Sequence, residues 1–154
     1  MAKPSVLCQS CELCSSVGGE LVWENTLCRV VNIDDPDYPG FCRVILNRHE
    51  REMTDLSEDA QQEMMRVVFA VEASLRRLLN PHKINLASLG NMTPHVHWHV
   101  IPRWRDDRCY PNPIWASALR TDSSIDAIID TCRLREELTV LLGEPAAASS
   151  ECRS

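Results

Sequence analysis

No stretch of this 154-residue chain strings together the roughly 18 apolar residues that a membrane-spanning helix requires. The opening Met1-Ala2-Lys3-Pro4-Ser5 also lacks the apolar core of an export signal, so the expectation is a cytoplasmic protein with no membrane partner. Basic charge is short as well. Sixteen Lys and Arg against 22 Asp and Glu leave a net charge of −6, which argues against a nonspecific grip on nucleic acid or an anionic surface. A small phosphorylated ligand is compatible with that balance if a few arginines converge. Nothing in the chain reads as a linker, and a single domain is expected over residues 1–142, followed by a small-residue tail at 143–154 that has little to bury and is expected to be disordered. Eight cysteines would be a disulfide scaffold in a secreted chain, but without a secretion signal they read as thiols and metal ligands.

Histidine is scarce too, with five in all, yet three of them fall in strict alternation in His95-Val96-His97-Trp98-His99-Val100. On an extended strand that spacing puts the imidazoles on one face and Val96, Trp98 and Val100 on the other. The pattern predicts a half-buried strand that offers imidazoles to a ligand or metal.

The remaining elements follow from periodicity and punctuation. Residues 21–24 and 27–33 read as a hairpin turning near Asn25, and the loop Asp34 to Gly40 holds two prolines and a glycine. Residues 41–46 form the next strand, ending at Asn47-Arg48-His49. Ser57 is positioned to cap a long helix in which Met64, Val68, Val71, Leu75 and Leu78 draw one apolar stripe, and Asn80-Pro81 stops it. Residues 83–89 read as the antiparallel partner of the histidine strand. A second amphipathic helix is expected from a cap at Ser123 or Ser124, through Ile125, Ile128, Ile129, Cys132, Leu138 and Leu141, to Gly143.

Near the start, Cys8-Gln9-Ser10-Cys11-Glu12-Leu13-Cys14 overlaps two Cys-x-x-Cys pairs, a spacing that lets two thiolates converge on one metal. A redox motif and simple surface thiols are the competing readings. Cys28 and Cys42 sit in strand-like runs and read as small core residues.

The run His95-Val96-His97-Trp98-His99-Val100-Ile101 resembles the His-φ-His-φ-His-φ-φ signature of the histidine-triad nucleotide-binding family, where φ is apolar. The resemblance extends over residues 8–103 through the Cys-x-x-Cys, the Pro39-Gly40 turn, the strand ending in His49, the long helix and the Asn85–Gly90 segment. It implies an α+β fold: a five-stranded antiparallel sheet with one long helix packed on it and a C-terminal helix. It also implies a homodimer that hydrolyses or transfers nucleoside phosphates, with a small-molecule nucleotide as substrate and no organic cofactor. By position, His97 resembles the nucleophile that becomes nucleotidylated, His99 its companion at the phosphate, and His95 the structural member of the triad. Asn32 resembles the ribose contact, and Asn85 and Asn91 phosphate-side contacts. Arg103, which closes the triad strand, could lean toward the phosphates, and Arg48, Arg105 and Arg108 could add charge, although arginines in loops are more often a solvated surface. In zinc-bearing relatives a Cys-x-x-Cys pair, a strand-end histidine and the first triad histidine hold one metal. The corresponding residues are Cys11, Cys14, His49 and His95, implying about one structural zinc per chain, with Cys8 as the alternative partner of Cys11.

Two positions depart from the family pattern. Phe41 stands where many relatives have histidine after the Pro-Gly turn, and Met92 stands where a serine or threonine can hand a proton to the leaving group. Good leaving groups, as in dinucleoside polyphosphates, are therefore expected over simple phosphoramidates. Two other functions compete. The three histidines could form a catalytic zinc site, although side chains at i, i+2 and i+4 spread over about 13 Å of strand. The departures would also suit a nucleotide-binding regulator with little catalysis.

Overall fold

The structure, a computed structural model, describes residues 10–146. Five strands, β1 (Glu20–Glu24), β2 (Cys28–Asn32), β3 (Cys42–Leu46), β4 (Lys83–Ala87) and β5 (His97–Arg103), form one antiparallel sheet in the order β1-β2-β3-β5-β4. A single turn, α1 (Glu12–Ser15), precedes the sheet, the long helix α2 (Glu58–Leu79) links β3 to β4, and α3 (Thr131–Leu142) closes the chain. This is the expected α+β architecture.

Alternation along the strands divides the sheet into two chemically different faces. Register pairs Val44 with Trp98 and Cys42 with Val100, and these side chains meet Val30, Leu46 and Val96 in the main core. Helix α2 covers that face, burying Met64, Val68, Val71 and Leu75 completely, with Leu78 at the margin. Each such side chain is worth about 1.5–3 kcal/mol. The Ser57 hydroxyl accepts from the Ala60 amide at the helix start, and Asn80 ends it in the left-handed conformation. Cys28 and Cys42 are fully buried in this core, where desolvation pushes both thiols up to about 12. Both are inert filling, as expected from their setting.

Gly40, between the acidic loop and β3, has φ +76°, and a Cβ there would lie 2.5 Å from the Leu79 side chain. The Pro39-Gly40 turn thus needs glycine for its backbone, and a larger residue would also push the end of the Leu79 side chain aside.

One expectation changes at the C-terminal end. Helix α3 begins at Thr131, capped by the Asp130 carboxylate on the Cys132 and Arg133 amides, and not at Ser123 or Ser124. The isoleucines at 125, 128 and 129 lie ahead of it in irregular chain, and Ile128 is 88 % exposed. Their spacing imitates a helix face, but Asp130 supplies the stronger start signal. After α3, Trp23 Nε1 donates to Gly143 O and the Ala146 amide to Glu24 O. Residues 147–154 lie outside the described part. No described helix is long and apolar enough to cross a membrane.

After β5 the chain folds around Asp107. Its carboxylate accepts from Arg103 Nε at 2.6 Å, Arg103 Nη2 at 2.9 Å, and the Cys109 and Tyr110 amides, all out of solvent. Burial alone would raise this carboxyl, but the Arg103 guanidinium and the two amides outweigh it, and the net shift is downward. A carboxyl depressed in the folded state stabilises above its unfolded value near 4, and that stability disappears as pH falls through the lower folded value. Asp107→Ala should therefore cost about 3–5 kcal/mol at neutral pH by leaving Arg103 buried and unpaired. Urea unfolding should show the gap to wild type narrowing below about pH 4, and a gap that is constant down to pH 2 would contradict the assignment.

Candidate active site and metal centre

The second face of the sheet carries the polar chemistry. Register pairs Ile45 with His97 and Arg43 with His99, so these four side chains share a face opposite the α2 core. Two small apolar clusters cover parts of it: Cys11, Leu13, Val31 and Ile45 at one side, Tyr38, Phe41 and Ile101 at the other. Between them lies a cavity of about 430 Å³. His97, His99 and Arg43 line it together with Glu12 and Leu13 of the N-terminal turn, Leu89, Asn91, Met92 and Thr93 of the β4–β5 loop, and Trp115 of the segment after β5.

The turn α1 folds because the Cys11 carbonyl accepts from the Cys14 and Ser15 amides, which brings both thiols to one side. Arg29, on β2, fastens this turn by donating to the carbonyls of Leu13 (2.6 Å), Ser16 (3.1 Å) and Val17 (2.9 Å). Opposite it, Leu46 N donates to Val96 O and Val96 N to Glu50 O, which clamps the segment bearing His49 against the one bearing His95. His95 lies just before β5, and its ring meets His49 edge to face at 5.2 Å.

The donor atoms of Cys11, Cys14, His49 and His95 all lie within 4.8 Å of one another. Cys11 Sγ is 3.4 Å from His95 Nδ1, and Cys14 Sγ is 3.3 Å from His49 Nδ1 and 3.5 Å from His95 Nδ1. Sulfur and nitrogen bound to one tetrahedral ion, at their usual bond lengths, sit about 3.5 Å apart. His95 Nε2–H donates to Leu46 O at 2.7 Å, so the Nδ1 lone pair faces the thiols. Burial keeps this imidazole below its usual range, the Leu46 carbonyl opposing in part, and the neutral ring is the form a metal takes. These four residues could hold one metal ion. Cys8, the alternative partner of Cys11, lies outside the described residues.

His97 is the next link. Its Nδ1–H donates to the His95 carbonyl at 2.6 Å, which leaves Nε2 as the nitrogen with a lone pair. Ser88 Oγ donates to the His97 carbonyl and fixes the strand from the other side. Burial lowers the His97 pKa; its bond to His95 opposes the shift and the Arg43 charge adds to it. His99 meets His97 edge to face at 4.9 Å, with Phe41 at 5.6 Å and Trp115 at 5.0 Å around it. Its Nδ1 is buried without a hydrogen-bond partner, and desolvation, helped by His97 and Arg43, pushes its pKa down to about 3. Both rings are neutral at physiological pH.

The other sequence candidates fare unequally. Asn91 lines the cavity, whereas Asn85 lines the adjoining one beyond Trp115, with its amide oxygen taken by Arg103 Nη1 at 2.6 Å. Asn32 pairs with Cys42, which pairs with Val100, so it stands on the α2 side of the sheet and lines a separate small cavity beside Asp34 and Asp35. Arg103 does not lean toward the cavity, because its guanidinium is consumed by Asp107, Asn85 and the Asn112 carbonyl. Arg48 pairs with Glu50, Arg105 with His82 and Arg108 with Asp37. Met92 is 97 % exposed at the rim and Phe41 is buried beside His99. The sequence reading overlooked Arg43 and Trp115. The signal for Arg43 was one charged residue on the outer alternation of the otherwise apolar run 41–46; Trp115 had none.

The HIT domain profile matches residues 16–106, more than half of the chain. The chain belongs to the HIT-domain family. Similar solved structures include a histidine triad protein from Bradyrhizobium japonicum, 26 % identical, covering 77 % of this chain and 90 % of that one with a TM-score of 0.63. Another is a histidine triad protein from Marinobacter aquaeolei VT8, 25 % identical, covering 82 % and 90 % with a TM-score of 0.62. Among curated proteins, the AP-4-A phosphorylase of Mycobacterium tuberculosis is 28 % identical over 78 residues, 47 % of this chain and 40 % of that protein. The match thus spans about two fifths of the curated relative. In this HIT chain the four-donor cluster draws on residues on both sides of position 16, where the family match begins.

Elemental analysis of tag-free protein should find about one metal ion per chain. Cys14→Ser and His49→Ala should each abolish it and lower the melting temperature, and a metal-free wild type whose melting temperature ignores chelators would contradict the site.

Proposed function

We propose that this HIT protein is a nucleotidyl hydrolase or transferase that cleaves nucleoside phosphate anhydrides at the α-phosphate through a nucleotidyl-His97 intermediate. The observation that carries the reading is the hydrogen bond from His97 Nδ1 to the His95 carbonyl. It fixes the ring in one tautomer and leaves Nε2 to attack, while burial keeps the ring neutral, beside His99 in a cavity large enough for phosphates. Family membership supports the reading, and so does the partial match to a protein named AP-4-A phosphorylase.

In the proposed reaction Nε2 forms a bond to the α-phosphorus as the bond to the bridging oxygen breaks, and the leaving phosphate chain keeps that electron pair. Water then attacks phosphorus, the P–N bond returns its electrons to Nε2, and the proton lost by water goes to solvent. His99, next to His97, contacts the phosphate oxygens, and Asn91 at the rim is the remaining amide contact. Met92 has no proton to give, so leaving groups stable as anions are favoured.

Cys11, Cys14, His49 and His95 would hold zinc, whose closed Cys₂His₂ shell supplies rigidity and no water-activating position. His97 and His99 stand outside that cluster, and a three-histidine catalytic zinc site has no support in this arrangement. The reading includes a homodimer, with β4 as an open sheet edge available to a second copy; sedimentation at micromolar concentration reads this directly. A binding protein with little catalysis is the second reading, favoured by the exposed Met92 at the rim.

Rapid quench with an α-labelled dinucleoside polyphosphate should trap an acid-labile adduct that maps to His97. His97→Ala should lose the adduct and reduce turnover at least about 1,000-fold while still binding nucleotide. An adduct on another residue, or full turnover by His97→Ala, would overturn the mechanism, and binding with neither adduct nor turnover would favour the second reading.

A further inference from the structure

Arg43 is the one arginine lining the cavity of His97 and His99, and among the described residues it has no hydrogen-bond or salt-bridge partner. Its Nε is buried and unsatisfied, which is rare enough in folded proteins to need an explanation. The side chain projects from the middle of β3, cross-strand from His99, and its guanidinium carbon rests 5.9 Å from the Phe41 ring centroid. That stacking gives a flat cation a rigid shelf without consuming its N–H groups. Glu12 on the cavity wall is the acidic group that Arg43 senses, but the two do not pair. The other arginines beside the triad strand are spoken for, Arg103 by Asp107 and Arg108 by Asp37.

A fixed, unpaired guanidinium that shares a cavity with two imidazoles is a receptor for an anion with several oxygens. We infer that Arg43 binds the phosphate chain beyond the reacting phosphorus and makes the site select substrates whose leaving group is itself a phosphate. This rests on the nucleotidyl-transfer reading above and assigns its preference for phosphate leaving groups to one residue. It also compensates for Met92: when the bond to the bridging oxygen breaks, the developing negative charge lies against a guanidinium, and no proton need be delivered. The Phe41 position, which offers no hydrogen bond, then serves as the shelf that orients Arg43.

The test compares a dinucleoside tetraphosphate with a nucleoside 5′-phosphate phenyl ester, whose leaving group carries no phosphate. Arg43→Met should lower kcat/KM on the tetraphosphate about 100-fold and leave the ester within about threefold, with Arg43→Lys in between. Equal losses on both substrates, or no loss on either, would overturn the assignment. A second measurement does not depend on turnover: inorganic triphosphate should bind Arg43→Met at least about tenfold more weakly than wild type, with a shallower salt dependence. Undiminished triphosphate binding would overturn it in the same way. If wild type forms no His97 adduct yet triphosphate binding still requires Arg43, the catalytic reading fails and the anion site stands. Melting temperatures within a few degrees of wild type exclude misfolding as the cause, and Arg43→Lys supplies the comparison if Arg43→Met melts early.

Discussion

The whole site depends on how one imidazole, that of His95, is held. Its Nε2–H is committed to the Leu46 carbonyl, its Nδ1 faces two thiols, and its own backbone carbonyl takes the Nδ1–H of His97. One residue therefore ties the end of β3, the N-terminal turn and the nucleophile candidate into a single chain of hydrogen bonds. The Cys11–Cys14 turn is thus linked to the ring of His97 through the ring and the carbonyl of His95. Arg29 reinforces the far end of that chain by gripping three carbonyls of the turn. A structural metal at this position would govern turnover by holding geometry, without touching substrate.

The same constraint explains why the cavity lies where it does. The α2 face of the sheet is filled by apolar side chains, so only the opposite face can present imidazoles to a ligand. There the apolar cover is split into two patches, one from the N-terminal turn and one around Tyr38 and Phe41. The gap between them exposes His97, His99 and Arg43 as one polar floor. Desolvation by the flanking patches keeps both histidines neutral, and a neutral imidazole is the nucleophilic form.

Much of this was legible in the sequence because it rests on periodicity. Alternation alone separated the imidazole face from Val96, Trp98 and Val100, and the stripe from Met64 to Leu78 located α2 with its Ser57 cap. The metal cluster was legible only through family resemblance, since Cys11 and His95 are 84 residues apart. What failed depended on partners that no local pattern reveals. Arg103 looked available until Asp107 folded back on it, and the isoleucines before Asp130 mimicked a helix. Asn32 carried no mark of its face until register set it level with Cys42 and Val100. Arg43 was overlooked because a charge inside an apolar strand reads as its solvent side until the neighbouring strand proves to carry His99.

The central claim is that transfer passes through a bond between phosphorus and His97, and the stereochemical course at the α-phosphorus tests it most directly. A dinucleoside polyphosphate made chiral at that phosphorus with sulfur and heavy oxygen, hydrolysed in isotopically labelled water, records each displacement as an inversion. Two displacements through His97 predict net retention in the released nucleotide; net inversion would mean a single attack by water and would contradict the account.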